Sequence, residues 1–334
     1  MLKYIVRRLI AAIPVLLGLS IVLFAFVHLL PGDPCTAILG QHRTPASCER
    51  LRENLGLNDP LLKQYFDYLG HLLTGNFGSS VINNKPFFAE FLVRFPGTIE
   101  LTVGALVFAV GLGIPLGRLA ARHAQGWIDG LVTAVSLFGI SIPVFVLGLI
   151  LVLIFGVELR WLPTQGRLDA RSGFESVTNF MLLDTALAGR WDLFGDALRH
   201  LILPAIALGS IPLAIIARIT RAAVIEVANE DFVRTARAKG LKERRVEDRH
   251  IMRNAWLPVT TVIGLQVGGL LGGAVLTETV FTWNGVGRWV VDAIGNRDLT
   301  IVQSTILVFA LIFLVVNLLV DIGYAFLNPR IRYS

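Results

Sequence analysis

Thiols, imidazoles and carboxylates are sparse in this chain, and none of them stands in a catalytic pattern. Cys35 and Cys48 are the only cysteines, too few and wrongly spaced for a four-ligand zinc site. No phosphate-binding G-x-x-x-x-G-K-[ST], no H-E-x-x-H and no G-x-S-x-G occurs, so neither nucleotide, metal nor acyl chemistry is signalled. Glu100, Glu278 and Asp321 lie at the edges of long apolar runs, and His28 and Gln266 lie inside them. Carboxylates at such margins fit anchoring or pairing; proton relay would call for one in mid-span. The dense charge is elsewhere: residues 218–253 hold ten Lys/Arg and six Asp/Glu.

The elements that must position these groups are apolar. Of 334 residues 54% are hydrophobic and 16% charged, with a mean hydropathy of +0.67, far from a soluble domain's roughly 25% charge. Lipid is the solvent this composition requires. Six charge-free stretches, 9–30, 101–117, 131–157, 200–217, 254–277 and 299–320, are each about the length that crosses some 30 Å of hydrocarbon as a helix. The second is expected to start nearer Gly97. Pro14, Pro115, Pro143, Pro204, Pro212 and Pro258 sit in or beside these spans, where proline bends helices.

Orientation follows from the basic residues. Positions 1–8, 118–130, 218–253 and 328–334 hold 17 Lys/Arg in 64 residues, whereas 31–97, 156–199 and 283–300 hold 13 in 129. Lys and Arg stay on the cytoplasmic side, so both termini are expected inside. The net charge of +6 then reflects topology and not a nucleic-acid partner. Residues 1–30 are expected to be a retained first span, because the 22-residue run exceeds a signal-peptide core and no cleavage-like site follows. In the outside loop 31–96, Leu61, Leu62, Tyr65, Leu69, Leu72 and Leu73 predict an amphipathic helix between Pro60 and Gly75, resting on the bilayer or the bundle. Cys35 and Cys48 fall in the same loop on the oxidising side, where a disulfide is expected. Residues 97–327 form a five-helix core and 328–334 a cytoplasmic tail.

Within the charged loop, Asp231 to Lys239 predicts a short helix with acid at its start and Gly240 at its end. The run Thr235-Ala236-Arg237-Ala238-Lys239-Gly240-Leu241, then His250, Arg253-Asn254-Ala255 and Leu257-Pro258, resembles the loop of ABC-importer permeases of the dipeptide/oligopeptide type. The likeness continues through Gly264 to Gly268, Thr277-Glu278-Thr279-Val280-Phe281, Gly285-x-Gly287-Arg288 and Arg297-Asp298, and it touches Arg7-Arg8 and Pro31-Gly32-Asp33-Pro34. It is strongest toward the first, B-type dipeptide subunit, including the segment Ser172 to Ala188. Against the general signature E-A-A-x-x-x-G this loop keeps only Ala236 and Gly240, with Arg234 and Thr235 in the other places.

That resemblance implies an all-α polytopic fold of the type I importer permease architecture in a bacterial inner membrane. It implies a second homologous permease subunit, two ABC ATPase subunits that bind ATP and Mg²⁺, and an extracytoplasmic substrate-binding protein. This chain would carry no cofactor and no catalysis. Asp231, Arg234, Thr235, Ala236, Arg237, Ala238, Lys239 and Gly240 become the expected ATPase-coupling element.

Gly264, Gly268 and Gly272, at four-residue intervals, are expected to permit close helix packing, with Gln266 bordering a pathway. Trp161, Arg167, Asp169, Trp283 and Arg288 are expected to meet the binding protein, although the two tryptophans also fit a headgroup belt. Oligopeptide, glutathione and nickel importers share much of the pattern. An ion-coupled secondary transporter would need a titratable midplane site, which the spans lack.

Overall fold

The computed structural model describes residues 2–29, 44–46, 48–49 and 58–327; Cys35 and the tail 328–334 lie outside them, and with Cys35 the expected disulfide. Among the described residues the chain is helical, with one isolated antiparallel bridge between Ser79 and Pro86. Five helices among the described residues are long and apolar enough to cross a membrane, or six if a bent pair is counted as one span. In chain order the elements are α1 (Leu2–Leu29), α2 (Leu61–Leu73), α3 (Phe87–Arg122), α4 (Trp127–Ser141), α5 (Val144–Leu151), α6 (Met181–Leu187), α7 (Trp191–Ala228), α8 (Asp231–Ala238), α9 (Glu243–Arg245), α10 (Met252–Val280), α11 (Val286–Gly295) and α12 (Leu299–Leu327). π-helical turns, Val152–Glu158 and Val246–Ile251, continue α5 and join α9 to α10.

The expected third span, 131–157, is not one straight helix. It breaks into α4 and α5 with a bend of 104°. Ile142 leaves the helix at φ −86° and ψ 126°, and Pro143 caps the next segment, as the steric restriction on a residue before proline dictates. At Pro14, Pro115, Pro204, Pro212 and Pro258 the helix runs on. In lipid, continued helix is the cheapest way to satisfy the remaining backbone groups.

The chain divides into two compact units, Met1–Arg94 with Trp289–Val315 and Phe95–Arg288 with Val316–Ser334. In the first unit α2 lies against α1: the Ser20 and Tyr65 hydroxyls are 2.9 Å apart, His28 Nε2 is 3.0 Å from Gln64 Oε1, and Phe24 meets Tyr65 and Tyr68. His28 is therefore a satisfied packing residue. The apolar residues expected on one face of α2 divide: Tyr65 faces α1, while Leu61, Leu62 and Leu73 stay exposed. Further along, Asp298 accepts from the Ser80 hydroxyl (2.5 Å) and the Val81 amide (3.2 Å), and Phe87 stacks between Phe77, Phe91 and Trp289.

The second unit is built around α7. Its Ala223 and Val224, its Leu201, Ala205 and Leu208, and its Leu203 and Ala207 enter three separate apolar clusters. α3 approaches it through small residues. A β-carbon at Gly117 would overlap the Ala217 carbonyl oxygen and come within 2.7 Å of Thr220 Cβ, and one at Gly113 would stand 3.0 Å from the Leu213 carbonyl oxygen. Backbone cannot yield as a flexible side chain can, so this packing depends on glycine. Gly117→Leu is expected to lose about 1–3 kcal/mol or more to overpacking, read as a lower unfolding temperature of the detergent-solubilised chain. Gly111→Leu, where a β-carbon meets open space, should match the parent; equal behaviour of the two variants would refute the glycine contact.

Candidate functional site

The loop between the fourth and fifth spans folds as a short rigid element. α8 starts after Glu230, whose extended backbone (φ −69°, ψ 147°) admits the turn. Asp231 occupies its first turn and Arg237 its last, the arrangement the helix dipole favours. The end is a Schellman stop: the Gly240 amide donates to the Arg237 carbonyl (2.9 Å), the Leu241 amide to the Ala236 carbonyl (3.4 Å), and Gly240 adopts φ +76°.

Two faces of α8 do different things. Val233 and Ala236 are buried in an apolar cluster with Val224, Val246, Ile251 and Met252, against which Leu241 also packs. Asp231, Arg234, Thr235, Arg237, Ala238, Lys239 and Gly240 are exposed. Phe232, absent from the expected set, is exposed too; an aromatic in an otherwise polar helix was the signal for it. Arg237 grips Glu243 through Nη2 to Oε1 (2.7 Å) and Nε to Oε2 (3.1 Å). Arg234 and Asp231, 3.4 Å apart and exposed, form a pair worth little. So α8 is seated by apolar burial and tied at its end, with a free polar face that ends in a glycine.

Beside it, a cavity of about 1040 Å³ is lined by residues including Arg118, Arg122, Asn229, Arg237, Glu243 and Glu247. Glu247 is buried and accepts from Arg118 and Arg122, and Arg118 also pairs with Asp248. Sequence reading missed this cluster because its partners lie 125 to 130 positions apart. An arginine pair at i and i+4 after the second span was the available signal. A second such pair joins Arg221 on α7 to Asp129 on α4, 2.5 Å and 2.6 Å.

The set expected to contact a binding protein comes apart. Trp161, at 67% exposure, and Asp169 are exposed, and Arg288 is half-buried. Trp283 is 1% exposed and its indole donates to the Gly97 carbonyl at 2.8 Å. Arg167 is buried, pairs with Glu100, donates to the Asn179 carbonyl at 2.7 Å and lies over the Trp283 ring. Neither side chain is available to a partner, because both are buried inside the fold. Glu100 also accepts from the Leu182 amide at 2.8 Å. Glu278, fully buried, accepts from the Thr98 hydroxyl at 2.6 Å and the Arg288 amide at 3.0 Å. Glu100 thus pairs as anticipated, whereas Glu278 is held by hydrogen bonds with no ion pair among the described residues; the side chain of Asp321 lies outside the described residues. Gly264, Gly268 and Gly272 do not share one buried face: Gly268 is buried, Gly264 and Gln266 are intermediate, and Gly272 faces open space.

Outside the spans, Asp184 organises the segment before α6. Burial pushes its carboxyl up, but the Ser176 and Thr178 hydroxyls and the Thr178 and Val177 amides outweigh that and hold it below the usual carboxylate range. A depressed folded pKa contributes stability above the unfolded value of about 3.9, which is lost as pH falls through the folded value. Amide exchange across 174–188, corrected for intrinsic rates, should therefore stay slow at pH 6 and rise below about pH 4. In Asp184→Asn that acid step should vanish; an unchanged acid step would assign it to another group.

The binding-protein-dependent transport system inner membrane component family matches residues 113–333, and the N-terminal component of such systems matches residues 1–102. The chain is 49% identical to the di/tripeptide transport system permease protein DppB of Pseudomonas aeruginosa and 45% identical to the dipeptide permease DppB of Escherichia coli K12, in both cases over all of each chain. It is 40% identical to the glutathione permease GsiC of the latter organism, again over full length. Among solved structures, the inward-facing MetNI methionine ABC transporter aligns at a TM-score of 0.52 and 15% identity, covering 71% of this chain and 96% of that one, a likeness of fold. The helical spans, the seated loop helix and these matches lead to one conclusion: the chain belongs to the family of binding-protein-dependent transport system inner membrane components.

Proposed function

We propose that this chain is the B-type permease subunit of an ATP-driven importer for dipeptides and other short peptides. It works with a second homologous permease, two ABC ATPases that carry ATP and Mg²⁺, and an extracytoplasmic binding protein. α8 is the element that meets an ATPase subunit. The observation that carries this reading is the division of α8 into a seated face, Val233 and Ala236, and a free polar face ending at Gly240. Closure of the ATPase pair moves α8 as a rigid piece, and the spans attached to it rock between accessible states. The cargo class rests on the full-length relatives named for dipeptide and di/tripeptide transport. Selection falls largely to the binding protein, with Trp161, Asp169 and Arg288 as its remaining candidate contacts here.

Reconstitution with all four partner subunits in vesicles tests this. Tritiated dialanine should accumulate only with ATP and binding protein present. Accumulation of labelled glutathione in its place would reassign the cargo, and accumulation driven by a proton gradient without ATP would overturn the class. The membrane orientation, both termini and residues 218–253 on the cytoplasmic side, has a separate test. A reporter active only outside the cytoplasm, fused after Ser334, should stay silent; activity there would invert the topology.

A further inference from the structure

We propose that Glu247 is the positioning residue through which movement of α8 reaches α3. The inference rests on α8 as the ATPase contact and adds the route by which its displacement leaves the loop. α8 is covalently close to α7 and α10, so those helices follow it through the chain. α3 has no such link: Arg118 and Arg122 stand 129 and 125 positions from Glu247. They nevertheless converge on its one carboxylate, Arg122 Nε at 2.7 Å from Oε1 and 2.8 Å from Oε2, Arg118 Nε on Oε1, with Arg118 Nη2 turned to Asp248.

Glu247 is 7% exposed. A carboxylate so placed is held by its partners, and losing them leaves an uncompensated buried charge. Its backbone sits in the π-helical turn Val246–Ile251, whose Val246 and Ile251 share the apolar cluster that seats Val233 and Ala236. From the other side Arg237 ties the end of α8 to Glu243, four residues before Glu247. The stretch 243–251 is thus fastened to α8 by a guanidinium and to α3 by two more. Apolar contact from Ile114 and Ala121 of α3 accompanies these pairs, but apolar contact slides, whereas two directed pairs to one buried carboxylate fix position and angle.

The test is the ratio of tritiated dialanine accumulated to ATP hydrolysed in vesicles holding the whole complex. In Glu247→Gln the pairs become neutral hydrogen bonds, so hydrolysis should continue while the ratio falls about tenfold, within the usual span of coupling energies. A merely structural lesion would lower both quantities together and leave the ratio unchanged; that result, with the chain inserted, overturns the proposal. Should Glu247→Gln fail to insert, Arg118→Gln with Arg122→Gln, both partly exposed, decides the matter: a lowered ratio supports it and an unchanged ratio overturns it. Gly240→Trp run alongside separates the two readings. If it too transports normally, the role of α8 fails; if it is inactive while the Glu247 and arginine variants keep the ratio, only the route through Glu247 fails.

Discussion

Gly240→Trp is expected to leave the chain inserted and to abolish uptake, with weakened association of the ATPase subunits. Gly240 stands at φ +76°, a region that costs an L-residue roughly 1–2 kcal/mol. Nothing lies within 4 Å of a β-carbon built there, so the substitution meets no clash at its first atom, and in the proposed assembly the indole would project where the ATPase must fit. The strain alone is isolated by Gly240→Ala, which should retain much of the uptake. Lys239→Ala should be mild, since an exposed charge pair is worth about 0–1 kcal/mol. Normal uptake by the tryptophan variant in an intact complex would remove α8 from the mechanism.

Arg167→Ala should be the most damaging change outside the loop. It strands the Glu100 carboxylate in a buried site, leaves the Asn179 carbonyl without its donor and uncovers the Trp283 ring. Breaking one partner of a buried pair costs about 3–5 kcal/mol, visible as a lower unfolding temperature and poor recovery of the chain from membranes. Glu100→Gln combined with Arg167→Met should recover most of that loss, because the pair is then replaced rather than broken. If the single variant is as stable as the parent, the pair contributes nothing.

These two sites also mark what the sequence made legible. Gly240 was readable, because a helix stop is local: acid at Asp231, base at Arg237 and glycine just past the end all lie within ten residues. Charge-free runs located the spans for the same reason, and Leu61–Leu73 was marked by its period between Pro60 and Gly75. Arg167 and Trp283 were misread as surface anchors. Their types suit interfaces, but burial depends on Gly97 and Glu100, which sit about 70 and 180 positions away, and no local period encodes that. Glu247 with Arg118 and Arg122 was missed for the same cause, and in a basic loop its acidity looked like solvated charge. Pro143 was noted, yet five other prolines continue their helices, so proline alone did not announce the 104° bend.

The central claim, that the free face of α8 is held by an ATPase subunit, has one direct measurement. A photo-activated cross-linking residue placed at Ala238, which is exposed, in the assembled complex should yield an adduct with the ATPase, more strongly when the nucleotide pair is trapped closed. The same probe at Leu187, also exposed but assigned to the opposite side of the membrane, should give no ATPase adduct. An intact complex that cross-links at Leu187 and not at Ala238 would contradict the account.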